Sequence, residues 1–148
     1  MAKIKIELPT RLLSGINIPV RITDVNYGNH VGNDAFISII HEARMQWLAQ
    51  HGFSEMNFGS VSLIMSDLAI EFKQESFYGD IIKVNLFAGE IGRVSFDLFY
   101  ELTTLRNDKS LLLCIAKTGM VCYDYNKKKT VSVPSTALAV LQLDILQG

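Results

Sequence analysis

The hydrophobic pattern changes period once along the chain. Residues 16–23, "INIPVRIT", alternate as a strand does, and Pro19 removes a ladder donor there, which favours an edge or a bulge. From about Asp34 to His51 the period is helical. Phe36, Ile37, Ile39, Ile40, Ala43, Met45, Trp47 and Leu48 occupy nearly every side, so the helix is expected to be buried. Only Ser38, Glu42 and Gln46 form a polar stripe. Asn33 or Asp34 is expected to cap this helix and Gly52 to end it. Beyond it the period becomes two. The runs "LAIEFKQ" (68–74), "IKVNLFA" (82–88), "VSFDLFYEL" (94–102) and "LLLCIAKTGMVCYDY" (111–125) read as strands. Short turn-rich links such as "YGD" and "RNDKS" join them, so they are expected to be antiparallel neighbours. "STALAVLQL" after Pro134 reads as a short helix. One strand, one long buried helix and an antiparallel meander predict an α+β fold in which the sheet curls around the helix.

The length of 148 residues suits one domain, 1–148, with one core. Hydrophobic residues make up 49% and charged residues 20%, which excludes disorder. A net charge of −1 offers no basic field for nucleic acid or anionic lipid. No apolar run is long enough to span a membrane, and "MAKIKIELPTRLLSG" alternates rather than forming the apolar core of a secretory leader. Cys114 and Cys122 fall in one strand-like run. Eight residues of strand separate them by about 26 Å, far beyond the ~7 Å reach of a disulfide. They are expected to be reduced core residues of a cytoplasmic protein, and no Cys/His spacing suggests a metal.

The stretch "DVNYGNHVGND", Asp24 to Asp34, stands out against this apolar background. Nine of its eleven residues are Asp, Asn, Gly, His or Tyr, a density of turn-formers and hydrogen-bonding groups that marks either a capped loop or a site. A buried helix that begins near Asn33 offers free backbone N–H groups and the positive end of its dipole. Gly32 permits close approach of a ligand to the backbone. His30, which carries an imidazole in this loop, is the leading candidate to activate water. Asn26 is placed to orient it. Asp24 and Asp34 are the nearest carboxylates, and Asp34, in the same helix-entry turn, is expected to share the chemistry with His30. Against these roles stand simple ones: His30 bonding within the turn, Asp34 capping the helix, Asp24 pairing with Arg21, and Glu42 with Arg44 forming a structural pair.

The stretch "RITDVNYGNHVGNDAFISIIHEAR" resembles the motif of the 4-hydroxybenzoyl-CoA thioesterase-like family of hotdog-fold acyl-CoA thioesterases. Arg21, Asp24, His30, Val31, Asn33, Glu42, Ala43 and Arg44 fit the family pattern, and "FKQESFYGDIIKV" and "AKTGMVCYDY" are similar to its later strands. The resemblance implies a hotdog fold, a curled sheet of five or six strands wrapped around one long helix. It implies hydrolysis of an acyl-CoA or acyl-carrier-protein thioester, with CoA as part of the substrate and no separate cofactor. It also implies an oxyanion donor at Asn33. Asn26 departs from the pattern: it stands four residues before His30, where the family has its catalytic carboxylate, and an amide is no general base. Plant acyl-carrier-protein thioesterases, relatives by fold, also draw on Asn and His near this loop. A hydratase or dehydratase, and a binder of acyl thioesters without turnover, remain as alternatives. An exposed sheet edge predicts a homodimer with edge-to-edge sheets, or a homotetramer.

Overall fold

The computed structural model describes residues 3–147, so residues 1, 2 and 148 of the expected domain lie outside the described residues. Its elements run β1 (Arg11–Pro19), α1 (Asn33–Gln50), β2 (Ser62–Phe72), β3 (Ile81–Ile91), β4 (Ser95–Arg106), β5 (Lys109–Asp124), β6 (Lys129–Thr130) and α2 (Ser135–Leu141). The architecture is α+β, a curled six-stranded antiparallel sheet with α1 packed against it.

Alternation explains the three strands in the middle, and in β5 it is interrupted where the consecutive Leu113 and Cys114 are both buried. Ile82, Val84, Leu86 and Ala88 of β3 are buried, as are Phe96, Leu98, Tyr100 and Leu102 of β4 and Cys114, Ala116, Met120 and Cys122 of β5. The inward sets meet across the registers Leu86 with Tyr100 and Tyr100 with Ala116. Phe36, Ile39, Ile40, Ala43, Trp47 and Leu48 of α1 close the core from the other side.

The sheet order β1-β3-β4-β5-β2 corrects the expected meander. β3 follows β2 in the chain but pairs with β1 and β4, while β2 crosses to the far side of β5. A short link between two strands does not by itself make a hairpin; here β1 already occupies the second edge of β3. β1 also begins and ends earlier than the 16–23 expected. It runs Arg11–Pro19, pairs Pro19 with Ile81 at its last position, and gives way to a 3-10 turn, Ile22–Asp24. As the proline predicts, β1 is an end strand of the sheet.

α1 corrects two further expectations. Gly32 is its N-cap, and no side chain caps it, so neither Asn33 nor Asp34 plays that part. Nor is the helix buried all round. Ile37, Ser38, His41 and Glu42 are exposed, because a single sheet meets only one side of a helix. The polar stripe is real: Gln46 Nε2 donates to Glu42 Oε2 at 2.7 Å. Gly52, with φ of +73°, follows the C-cap residue His51, as the sequence suggested.

Candidate active site

The loop before α1 is built by its own backbone. Asn26 N donates to His30 O at 2.9 Å and Asn29 N to Asn26 O at 3.0 Å, closing a tight turn with Asn29 at a left-handed φ of 63°. Asn tolerates that conformation better than most residues. Val25 bridges Val31 across the loop. On its far side the loop is held by the link between β2 and β3: Val31 N donates to Ser76 O at 2.7 Å, and His30 bridges Phe77.

The six residues singled out in the sequence do not all converge. His30 and Asn33 line a groove of about 230 Å³ together with Val31, Phe36, Phe72 and Lys73. The Phe36 and Phe72 rings, 5.8 Å apart, bring α1 and the end of β2 to the same place. Gly32 lies between His30 and Asn33 in the chain and gives α1 its free start. The N–H groups of the first helical turn have no intrahelical acceptor and no capping side chain, so they face outward with the helix dipole behind them.

Asp24, Asn26 and Asp34 lie elsewhere. Asp24 is buried, and Arg21 takes both of its oxygens: Nε and the backbone N donate to Oδ2 at 3.3 and 2.8 Å, and Nη2 to Oδ1 at 3.2 Å. Its backbone carbonyl also accepts from Gly32 N at 3.2 Å, so Asp24 braces the floor of the loop. The Asn26 amide turns back on the loop, where Oδ1 accepts from Gly28 N at 2.9 Å. Asp34 is exposed and folds over Gly32; a Cβ on Gly32 would stand 2.6 Å from Asp34 Oδ1. His30 Nδ1 is 3.4 Å from Val31 O, which favours a proton on Nδ1 and leaves the Nε2 lone pair free. Among the described residues no His, Cys, Asp or Glu cluster has the arrangement of a metal site.

A family model described as the thioesterase-like superfamily matches residues 20–141, from the start of this loop to the end of α2. The chain belongs to the thioesterase-like superfamily. Thioester hydrolysis is the reaction for which this superfamily is named. A relative from Aquifex aeolicus (strain VF5), provisionally named an esterase, is 27% identical over 114 residues, 76% of this chain and 84% of its own. Two solved structures share the fold. The 1,4-dihydroxy-2-naphthoyl-CoA thioesterase of Synechocystis is 24% identical with a TM-score of 0.76, covering 86% of this chain and 93% of that one. The 4-hydroxybenzoyl-CoA thioesterase of Pseudomonas sp. strain CBS-3 is 13% identical with a TM-score of 0.76, covering 88% and 99%.

Two parts of this thioesterase-superfamily chain escaped the sequence reading. The first anchors His30. Asp80 Oδ2 accepts from Ser76 Oγ and Phe77 N at 2.9 Å each and from Arg106 Nη2 at 2.6 Å, and the Arg106 guanidinium lies 5.1 Å from the Phe77 ring centre. In "YGD" the Asp reads only as a turn residue, and Arg106 lies 26 positions away, so nothing local signals the anchor. The second is a polar chain that runs from the buried Thr118 and Tyr100 out to the exposed His41. Arg44 does not pair with Glu42 as the sequence suggested, because Glu42 faces solvent. Arg44 Nε donates instead to Glu55 Oε2 at 3.0 Å and Nη1 to Tyr100 Oη at 3.1 Å. Tyr100 Oη lies 2.7 Å from Thr118 Oγ1, and His41 Nε2 lies 2.7 Å from Glu55 Oε1.

The Asp80 anchor predicts acid lability. Burial pushes the Asp80 carboxyl up, but the Phe77 N–H, the Ser76 hydroxyl and Arg106 outweigh it and hold it below the ordinary range. A depressed folded-state value stabilises above the unfolded value of about 3.9 and is lost as pH falls through the lower folded value. The difference in urea midpoint between wild type and Asp80→Asn is therefore expected to be constant from about pH 7 to 5 and to close below about pH 4. A difference that persists undiminished at pH 3 would remove Asp80 from this role.

Proposed function

We propose that this chain hydrolyses an acyl-CoA, or acyl-carrier-protein, thioester to the free acid and the thiol in the groove between His30 and Asn33. The observation that carries this reading is the uncapped start of α1 opening beside His30. The thioester carbonyl oxygen sits at the N–H groups of the first helical turn, beginning at Asn33. There negative charge developing on that oxygen meets fixed donors and the helix dipole. Water attacks the carbonyl carbon and gives its proton to His30 Nε2. The tetrahedral intermediate collapses, the C–S bond breaks, and the leaving sulfur takes the proton back from His30. Asp24 and Asn26 position the loop, and Asp34 adds a favourable negative charge to the first helical turn. CoA enters as part of the substrate, and no separate cofactor is needed. That the similar Synechocystis and Pseudomonas proteins are named for aromatic acyl-CoA esters supports a CoA ester here. We read α1, which packs against the curled sheet on one side, as the long helix of a hotdog domain. The free, buried thiols of Cys114 and Cys122, pushed up to about 12 and about 11 by burial, suit a reducing compartment such as the cytoplasm.

Asn26 favours a second reading, in which the chain binds the thioester without cleaving it. Thiol release across a panel of acyl-CoA esters separates the two, measured for wild type, Asp34→Asn and Asn26→Asp at one pH. We expect turnover in wild type and a loss of less than about tenfold in Asp34→Asn, since Asn keeps the shape of Asp and removes only a helix-end charge. Asn26→Asp should change little, because its oxygen can still accept from Gly28 N. An inactive wild type rescued by Asn26→Asp would establish the binder instead.

The chain is further proposed to act as a homodimer joined through β2, or as a homotetramer made of two such dimers. β2 is an end strand of the sheet, and Met65 and Phe72 on it are 42% and 44% exposed. The opposite end, β1, is partly covered where Ile145 N donates to Leu12 O at 2.9 Å. An unprotected edge is a pairing surface. Light scattering at micromolar concentration should give twice or four times the chain mass of 16.6 kDa. A monomer would refute the assembly.

A further inference from the structure

We propose that the seam between α1 and β2 is the acyl channel, and that Arg44, His41 and Thr118 on its floor select an acyl group carrying a neutral hydrogen-bonding group, such as a hydroxyl, at its far end. The inference rests on the thioesterase reading above. Two grooves lie in series on the same pair of elements. The first, at the start of α1, is formed by His30, Asn33 and Phe36 against Phe72. The second, of about 330 Å³, is formed by Ile37, Ile40, His41 and Arg44 against Leu68 and Met65. Residue numbers rise along the helix while they fall along β2, so the grooves follow one antiparallel seam. From Asn33 to His41 the helix advances about 12 Å, the reach of a medium-length acyl chain or of a fused aromatic ring with one substituent. A carbonyl held at the helix start therefore sends its acyl group along Ile37 and Leu68 toward Arg44.

The chemistry changes at the far end. The walls are aliphatic, but Thr118, His41, Arg44 and Glu55 also line this groove. They belong to the continuous chain Thr118–Tyr100–Arg44–Glu55–His41, in which every link is a hydrogen bond of 3.1 Å or less. Arg44, Tyr100 and Thr118 are buried. A guanidinium withdrawn from water to the base of an apolar groove is costly, and packing alone is served as well by apolar side chains. Its charge is already balanced by Glu55. A terminal carboxylate would stand beside that carboxylate and be disfavoured. A hydroxyl can accept from the Arg44 guanidinium and donate to Thr118 Oγ1, both of which line the groove, so it joins the chain without adding charge. An unsubstituted alkyl end leaves these polar groups facing hydrocarbon.

The test compares octanoyl-CoA, 8-hydroxyoctanoyl-CoA and the carboxylate-ended suberoyl-CoA in thiol release, and the three matching S-alkyl thioether analogues of CoA in calorimetric binding. The thioethers cannot be hydrolysed and so report selection without turnover. Wild type is expected to favour the hydroxyl-ended ester about tenfold in kcat/KM over the plain one, with the same order among the thioethers. Thr118→Val, which keeps the shape and removes the hydroxyl, should reduce that ratio toward unity. His41→Gln, at an exposed position, should reduce it as well. Equal binding of the hydroxyl-ended and plain thioethers, or preference for the carboxylate-ended one, overturns the inference. No thiol release from any ester, with the hydroxyl preference kept among the thioethers, leaves the channel standing and defeats only the hydrolytic reading.

Discussion

Replacing His30 by alanine is expected to lower kcat by about 10²–10⁴ at neutral pH, the range for loss of a general base, with KM and the urea midpoint close to wild type. The structure explains why folding should be spared. The imidazole makes one long contact within the loop, Nδ1 to Val31 O at 3.4 Å, whereas the loop itself is held by backbone bonds that alanine retains. Asn26 N to His30 O and Val31 N to Ser76 O are indifferent to the side chain at position 30. The groove at the start of α1 would keep its N–H donors, so binding should survive while water activation is lost. That combination, kcat down and KM unchanged, marks an interaction made only in the transition state. Turnover that stays within a factor of about three would make His30 a turn residue, and the base would have to be sought at Asp34.

The strands β3, β4 and β5 and the helix α1 were legible in the sequence because their residues repeat at the period of the element, whereas β1 was placed too late in the chain and the two-residue β6 is too short to show a period. Every second residue of β3 and β4 faces the core, and the boundaries of α1 came within one residue of those expected. The partner of β2 was not legible, since a period of two says which face is buried but not which strand lies alongside. The loop from Asp24 to Asp34 announced itself by composition. Composition did not say which of its polar groups turn outward. Asp24 and Asn26 are spent on Arg21 and Gly28, and His30 and Asn33 reach the groove. The Arg44 chain joins α1, the segment before β2, β4 and β5, at separations of 11 to 56 residues from Arg44 to its two direct partners. A contact of that kind leaves no local pattern to read.

Replacing Arg44 by methionine is expected to lower the stability of the fold by about 3 kcal/mol at pH 7, the lower end of the cost of removing one partner from a buried ion pair. Methionine keeps the apolar stem packed, so the loss reports the charge and its hydrogen bonds rather than a cavity. Two groups are left behind. Tyr100, fully buried, loses the donor at 3.1 Å and keeps Thr118 Oγ1. Glu55, with its side chain 24% exposed, loses its cationic partner at 3.0 Å and keeps only His41, which is why the lower end applies. The pH dependence should identify Glu55 as the source. Burial pushes the Glu55 carboxyl up, but His41 and Arg44 together hold it below its ordinary range in the wild type. A depressed value stabilises above the unfolded value of about 4.3 and is lost as pH falls through the folded one. Without Arg44 much of that opposing pull is gone, so acid should cost the variant less than the wild type. The gap in urea-derived stability between the two is expected to be widest near pH 7 and to narrow as pH falls below about 4. A gap of the same size at pH 7 and pH 3 would mean that the lost stability comes from Tyr100 and packing, and that the Arg44–Glu55 pair contributes nothing.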